Sequence, residues 1–467
     1  MKEIKLTPKN WLVDIKNAHL KAEAEKYLTF LSYSYTQKTS YPVHLYGLRG
    51  FKAGLVDYLN TKMEDYHFSL DIPPISYDKE YINNKYELRD YQSDPVELVA
   101  KKGYGIVASP TASGKTRMEI ALCEIFPKPL LYIVPSKILL YQAKEELEKW
   151  GFSVGLCGDG YTNLKKDITV MIVNSLVIKR NKNSKSRKAL TAYLKSVKSI
   201  IFDEVHHGTK KCYSVLGRCP ALYRAGFSAT PWAESDEKLT QARLMANFGD
   251  IIFDGREDDR VDPFIEHPIV YTIKRGANYE HQTLLISAIV DRSYLAQKRY
   301  ALSMDSARNK FILDISELLR LKGNNIYIVV GWTEQVDQLR SIAEATPDDY
   351  QNIHFLTGAT PKEEREEVYN SIGTTDPLII CGTVGGEGVD LPHLNFVVMG
   401  DIGKSEIKVI QAIGRAARKA EGKTVASVVD IYDPIFHSHY KHRKKIYKNE
   451  GFEMKSEEDL FTLLAED

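Results

Sequence analysis

The sequence predicts an α/β fold with two tandem parallel-sheet domains and a small N-terminal α+β domain. From residue 86 onward, short apolar runs such as LLYIVP, SIIFDE and NIYIVVG recur. Runs this short and this apolar are typical of strands buried on both faces. Amphipathic stretches such as SKILLYQAKEELEKW separate them, as crossover helices do. The 467 residues also exceed what one hydrophobic core usually accommodates.

The predicted domains follow from changes in motif content and in the density of apolar residues along the chain. Residues 1–85 carry no motif and contain a dense aromatic run, YLTFLSYSYTQKTSYPVHLYG. The segment FDGREDDRVDPF contains few apolar residues and divides the two α/β halves. We therefore predict an accessory domain over 1–85, a first α/β domain over 86–262, and a second over 263–467 that ends in C-terminal helices.

Composition and charge narrow the function classes. The net charge is +1, so a nucleic-acid site would have to be a local patch. Two basic clusters, KRNKNSKSRK and KHRKKIYK, are either solvated faces or phosphate-contacting patches. The five cysteines form no C-x-x-C pair, which favours reduced thiols over zinc or disulfides. Without a signal peptide or a spanning apolar run, we expect a cytoplasmic protein, in the host cytoplasm if viral, with no membrane contact.

The stretch ASPTASGKT is a candidate phosphate-binding loop. It follows the apolar run GYGIVA and precedes a helical pattern, as such a loop requires, although Ser109 stands where the strict motif has glycine. Gly114 would let phosphate approach the backbone, and Lys115 would place a charge on the β- and γ-phosphates. The Thr116 hydroxyl would contact Mg²⁺. The alternative is a chance Gly-Lys-Thr in a turn.

A second element, SIIFDEVHHG, ends an apolar run in two carboxylates. Asp203 at the tip of a buried strand can hold Mg²⁺, and Glu204 can orient or deprotonate the attacking water. The alternative is a pair of carboxylates that faces solvent. Its place downstream of the phosphate loop favours the catalytic interpretation.

These two elements resemble motifs I and II of the superfamily 2 helicases and translocases. Other segments resemble further motifs in the family's order, namely ELRDYQSDPVELV, YIVPSKILLYQ, IVNSL, GFSATP, IYIVVGWTEQVDQL, GTVGGEGVDLP and QAIGRAARK. The resemblance runs from about Tyr86 to Asp433. The segments MGDIGKSEIKVIQAIGRAARK and VVDIYDP most resemble the phage UvsW-type recombination helicases. It implies two RecA-like motor domains, ATP and Mg²⁺ as cofactors, and ATP hydrolysis coupled to nucleic-acid unwinding.

The resemblance also implies roles for individual residues. Arg89 and Gln92 would contact adenine. The catalytic group would be Lys115, Asp203, Glu204, Gln411, Arg415 and Arg418, with Thr116 and Asp203 on the metal. Nucleotide contacts would also come from Ser113, Gly114, Gly388 and Asp390. Arg415 and Arg418 lie three apart on a helical segment and so share a face. They are candidate arginine fingers from the second domain, and the alternative is a basic helix face paired with Glu421.

Nucleic-acid contacts are expected at small polar residues and loop starts. Residues that match the family's strand-contacting motifs are Pro135, Ser136, Asn174, Ser175, Thr333, Thr357, Gly358 and Thr383. Each one taken alone also fits a helix cap or a turn. We predict a monomeric, ATP-dependent DNA helicase or translocase for forked and junction DNA in recombination, repair or replication. The alternatives are an RNA helicase of the same superfamily and an ATP-switched nucleic-acid-binding module that does not unwind.

Overall fold

The structure is a computed structural model, and the chain divides into two compact units, Met1–Val261 and Asp262–Asp467. It describes all residues except 1, 35–38, 111–112, 166, 178–184, 233–237, 262–267, 276–278, 375, 384–390, 392, 417–422, 424–425 and 466–467.

Residues 2–85 form small sheets and short helices. Their elements are β1 (Lys2–Leu6), β2 (Leu12–Val13), α1 (Ala18–Tyr27), β3 (Thr29–Ser34), β4 (Thr39–His44), β5 (Tyr46–Gly47), β6 (Gly50–Lys52), α2 (Leu55–Asn60), β7 (Tyr66–Leu70) and α3 (Lys79–Lys85). β1 pairs in parallel with β7, β3 pairs with β4, and β6 lies between β2 and β5. This mixture of helices and small sheets agrees with the predicted α+β character.

The rest of the first unit is built on an eight-stranded sheet. Its elements are α4 (Asp90–Lys102), β8 (Tyr104–Ala108), α5 (Lys115–Ile125), β9 (Leu130–Val134), α6 (Lys137–Lys149), β10 (Val154–Gly158), β11 (Tyr161–Thr162), β12 (Ile168–Ile172), α7 (Lys185–Ser196), β13 (Ser199–Asp203), α8 (Lys210–Leu216), β14 (Tyr223–Ser228), α9 (Lys238–Phe248) and β15 (Ile251–Asp254). The strand order is β11-β10-β12-β9-β13-β14-β8-β15, and every pairing is parallel except that of β11 with β10.

The second unit carries a seven-stranded parallel sheet of order β18-β19-β17-β20-β21-β16-β22. Its elements are β16 (Ile269–Lys274), α10 (Gln282–Val290), α11 (Tyr294–Lys298), α12 (Ser306–Leu321), β17 (Ile326–Val330), α13 (Thr333–Ala345), β18 (Ile353–Leu356), α14 (Lys362–Ser371), β19 (Ile379–Thr383), β20 (Phe396–Met399), α15 (Glu406–Ala416), β21 (Ser427–Tyr432), α16 (His437–Asn449), β22 (Met454–Lys455) and α17 (Glu457–Ala465). Two largely parallel sheets confirm the predicted α/β class.

The elements form where the sequence pattern indicates. All five residues of β8, β9, β12 and β17 are buried, because helices cover both faces of a parallel sheet. α6 begins at Ser136, whose side chain accepts a hydrogen bond from the Leu139 amide, and it turns Leu140 and Leu147 inward. α4 ends at Gly103, whose φ of 84° suits a residue without a side chain.

The N-terminal residues pack firmly against α9 and β8. The Trp11 side chain is fully buried, and its Nε1 donates to the Ala246 carbonyl at 2.8 Å. The Arg224 guanidinium lies 4.3 Å from the centre of the Trp11 ring, and Tyr104 contacts that ring edge-on. Apolar side chains from Leu6 to Ile72, among the described residues, therefore share one hydrophobic core with α9 in the first unit. Among the described helices, none has both the length and the apolarity needed to cross a membrane.

Candidate functional site

The site residues predicted for the first unit follow the carboxyl ends of its strands. β8 leads into the phosphate loop, β9 into Pro135 and Ser136, and β12 into Asn174 and Ser175, while β13 ends at Asp203. The carboxyl ends of parallel strands share one edge of the sheet, which is where open α/β sheets bind ligands. The fold therefore gathers these residues along one edge.

The phosphate loop leads into the N-terminus of α5. Gly114 precedes the helix with a φ of 81°, and a Cβ atom there would stand 2.3 Å from Gln92 Nε2. Its left-handed conformation therefore favours glycine, and a larger residue there would also have to displace the Gln92 amide. Lys115 opens the helix, and its Nζ donates to the carbonyls of Ser109 at 3.1 Å and Pro110 at 3.3 Å. The loop residues Thr111 and Ala112 lie outside the described part of the chain.

Ser109 shows why the loop needs no glycine at its first position. Its φ is not positive, and its side chain is fully buried. The hydroxyl lies 2.6 Å from the Ser113 hydroxyl across the loop, and the Ser109 amide donates to the Ser228 carbonyl at 3.0 Å. A small hydroxyl residue thus ties the two ends of the loop together.

α4 holds the loop from its other side. Tyr91 Oη and Gln92 Nε2 each donate to the Ser113 carbonyl at 2.9 Å, and Gln92 Oε1 accepts from the Arg89 amide at 3.0 Å. Arg89 also donates to Tyr91 Oη. Gln92 is almost fully buried and contacts the loop through its amide nitrogen. Arg89 and Gln92 therefore lie beside the phosphate loop, and their contact with adenine stays a prediction.

The two carboxylates lie at the tip of β13. Glu204 has a φ of 51°, a left-handed conformation that is strained for a glutamate and is often found at functional sites. Burial, followed by the charge of Glu204, raises the pKa of Asp203 above its ordinary value, while the charge of Lys115 lowers it. A divalent cation beside Asp203 would favour its charged form.

One buried acid beside the site was missed by the sequence analysis. Glu119 lies one turn after Lys115 on α5 and is only 1% exposed. Its carboxyl accepts a hydrogen bond from Tyr132 of β9. Burial, and then the charge of Asp203, raises its pKa well above the ordinary value. The detectable signal was a glutamate on the apolar face of the TRMEIALCEI pattern.

A histidine connects this strand tip to the next loop. His206 Nδ1 lies 2.7 Å from Ser228 Oγ and 3.4 Å from Glu204 Oε2. Ser228 Oγ also accepts from the Thr230 amide at 3.0 Å, so its proton is available to His206 Nδ1. Burial lowers the pKa of His206 well below its ordinary value, and His207 and Lys115 lower it further. Neutral His206 thus joins DEVH to GFSATP.

Magnesium fits the donors in the first unit. Mg²⁺ is usually held by one or two carboxylates together with substrate phosphates, so it does not need a closed protein cage. Thr116 is exposed at the start of α5, and Asp203 ends β13. The described residues contain no group of three or more histidine, cysteine, aspartate or glutamate side chains that could hold a metal ion.

The structure describes only some of the nucleotide-site residues predicted for the second unit. Gln411 lies on α15, and the backbone of Arg415 belongs to the same helix, although the Arg415 side chain is not described. Gly388, Asp390 and Arg418 lie outside the described residues. Their nucleotide contacts and catalytic roles stay predictions.

The predicted strand-contacting residues are also at strand ends. Thr333 opens α13 after β17, Thr357 and Gly358 follow β18, and Thr383 ends β19. The Thr357 hydroxyl accepts from the Ala359 amide at 3.3 Å, as in a turn.

In the first unit, Ser136 caps α6, Asn174 is exposed, and Ser175 is buried. Ser136 and Thr357 therefore have the cap and turn roles that were the alternative for each. These roles do not conflict with phosphate contact, and that contact stays a prediction.

Two family models match the chain. Residues 72–233 match the Type III restriction enzyme, res subunit model, and residues 309–420 match the Helicase conserved C-terminal domain model. The first match includes the phosphate loop, Asp203, Glu204 and Ser228. The second includes Gln411 and the segment up to Lys419.

Curated relatives and one solved structure are also similar to the chain. The chain is 27% identical to DNA 3'-5' translocase XPB2 of Sulfurisphaera tokodaii, over 73% of this chain and 80% of that protein. It is 24% identical to ATP-dependent DNA helicase uvsW of Enterobacteria phage T4, over 75% and 69%. The structure of S. cerevisiae Dbp5 bound to RNA and ADP BeF3 covers 84% of this chain and 96% of Dbp5, with a TM-score of 0.56 at 13% identity. This last likeness shows the fold alone.

Proposed function

Because the chain is a superfamily 2 helicase, we propose that it is an ATP-driven DNA motor that unwinds or branch-migrates forked and junction DNA. The observation that carries this proposal is that the predicted nucleotide-site residues of the first unit lie together at one edge of its sheet. Lys115 opens α5 after β8, Asp203 and Glu204 lie at the end of β13, and Ser228 ends β14. These three strands, β13, β14 and β8, are neighbours in one sheet.

The residues of this site divide the work of ATP hydrolysis. Lys115 would leave the loop carbonyls it now contacts and bind the β- and γ-phosphates, since these are stronger acceptors for an ammonium group. Mg²⁺, held by Thr116 and Asp203, would neutralise charge on the phosphates. Glu204 would orient the attacking water. Arg415 and Arg418 would supply positive charge to the transition state, with an effect of about 10³–10⁵ in rate for such a finger.

The link between His206 and Ser228 offers a route from hydrolysis to movement. Ser228 contacts the DEVH segment through His206 and the phosphate loop through the Ser109 amide. A change at the γ-phosphate that moves Glu204 would therefore also shift Ser228 and the loop that follows β14. We infer that this loop relays the nucleotide state to the strand-contacting residues.

DNA is the proposed substrate because the relatives XPB2 and uvsW are named for work on DNA. Roles in recombination, repair or replication, a monomeric state and a branch-recognising role for residues 1–85 belong to the same proposal. A strand-displacement assay on matched DNA and RNA forks tests it. Displacement of the DNA fork supports the proposal. Displacement of the RNA fork alone would favour an RNA helicase, and ATP hydrolysis without displacement of either would favour an ATP-switched binding module.

A further inference from the structure

Helix α16 presents a uniformly basic face to solvent. Lys441, Lys444, Lys445 and Lys448 are all exposed, and their spacing of three and four places them on one side of the helix. No aspartate or glutamate occurs within α16. The lysines at positions 441 and 448 are about 10 Å apart along the helix axis, which matches about three phosphate-to-phosphate steps of about 3.4 Å each along the axis of one strand of B-form duplex.

The other side of α16 fixes this face in place. Arg443 points inward, and its guanidinium makes two hydrogen bonds, of 2.9 and 2.8 Å, to the buried carboxylate of Asp430 on β21. Tyr447 donates to the same carboxylate at 2.7 Å, and Arg443 also donates to the Gly403 carbonyl. The Tyr440 ring stacks on Tyr432 with ring centres 3.8 Å apart. The exposed lysines therefore stand on a helix that is anchored by a buried ion pair.

These lysines differ from those of α6. Lys144 and Lys149 on α6 form ion pairs with Glu148 and Glu146 within their own helix. Among the described residues, no carboxylate lies within ion-pair distance of the four α16 lysines. A row of like charges repels itself and is destabilising unless an anion offsets it. The face is therefore complementary to a polyanion.

We propose that the exposed face of α16 binds the phosphate backbone of duplex DNA. The proposal rests on the proposed function, and it adds a duplex contact outside the strand-contacting loops. Proteins that hold single strands offer exposed aromatic rings for base stacking, whereas the tyrosines of α16 are buried. A membrane-surface helix needs an exposed apolar face, and the apolar residues of α16 face the core. A lysine-rich face without exposed tyrosines or apolar side chains suits duplex DNA, in which the bases are already stacked on one another.

The salt dependence of duplex binding tests this proposal directly. Full-length K441Q/K445Q is compared with wild type and with K144Q/K149Q, which also loses two helix-surface lysines. Binding of a labelled blunt duplex, without nucleotide, is followed by fluorescence anisotropy between about 50 and 200 mM salt. Each lost phosphate contact should reduce the slope of log K against log salt by about 0.9. K441Q/K445Q should therefore lose up to about 1.8, and the control should match wild type.

Further readouts separate a local phosphate contact from a general loss of charge or of motor activity. ATP hydrolysis without nucleic acid should be unchanged in K441Q/K445Q, because neither lysine belongs to the nucleotide site. An unchanged slope in this variant, an equal loss in K144Q/K149Q, or a loss seen only on single-stranded DNA would each overturn the proposal. If wild type binds no nucleic acid at all, the proposed function fails as well. If wild type binds duplex and K441Q/K445Q has the same salt slope as wild type, the α16 proposal fails and the proposed function stands.

Discussion

The Nδ1 atom of His206 lies 2.7 Å from the hydroxyl oxygen of Ser228. This contact joins the turn after β13 to the carboxyl end of β14. His206 is buried, so this contact depends on a neutral imidazole. The folded chain keeps His206 neutral, whereas the unfolded chain takes up a proton as the pH falls through about 6.5. The stability contributed by neutral His206 is therefore present above this pH and is lost progressively below it.

We expect His206→Gln to reduce the acid sensitivity of the protein. Thermal unfolding of wild type and variant is compared at about pH 7.5 and about pH 5.5. Wild type should lose up to about 1.4 kcal/mol more stability per pH unit below 6.5 than the variant, since one proton is no longer linked to unfolding. His67→Gln, which changes an exposed histidine, is the control and should behave as wild type. Equal acid sensitivity in all three proteins would contradict the prediction.

A second prediction concerns Glu204. We expect Glu204→Gln to bind ATP and DNA but to stop turnover, because binding requires Lys115 and the metal while the chemical step requires the carboxylate. Nucleotide binding is measured with a fluorescent ATP analogue, and turnover is measured by phosphate release. Near-normal turnover in this variant would remove Glu204 from its proposed role.

A third prediction concerns Arg418. Arg418→Ala should lower kcat for ATP far more than it raises KM, since an arginine finger makes its contact mainly in the transition state. Arg299→Ala removes an exposed arginine of the same unit that pairs with Glu334, and it should leave both constants unchanged. A loss of nucleotide affinity with kcat intact would instead indicate a ground-state contact.

A fourth prediction concerns the packing of the N-terminal residues against α9. Trp11→Ala should destabilise the first unit by about 3–5 kcal/mol, because it opens a cavity against α9 and removes the hydrogen bond to Ala246. Thermal unfolding measures this loss, and Leu48→Ala at an exposed turn is the control. An unchanged unfolding midpoint would show that Trp11 is not buried as described. Because this core is shared, point variants are better tests of residues 1–85 than their removal.

The sequence predicted the α/β class and its short buried strands for a physical reason, while the roles of the site residues stay predictions. Strands buried on both faces must be short and apolar, and loops at their carboxyl ends must carry the polar residues, so β8 and β13 lead directly to Lys115 and Asp203. Contacts between distant segments left no such pattern. The burial of Trp11 against α9 and the contact of Gln92 with Ser113 depend on tertiary packing. Glu119 is an ionisable residue that lies on a buried face, which periodicity alone does not predict.

ATP hydrolysis by the full chain, measured across a panel of nucleic acids, tests the central claim most directly. The panel comprises no nucleic acid, single-stranded DNA, blunt duplex, a DNA fork, a four-way DNA junction and a matched RNA fork, all at one salt concentration, because phosphate contacts change strongly with salt. We expect DNA to stimulate hydrolysis, and the fork and the four-way junction to stimulate it most. A rate that no DNA changes, or that RNA alone raises, would contradict this expectation.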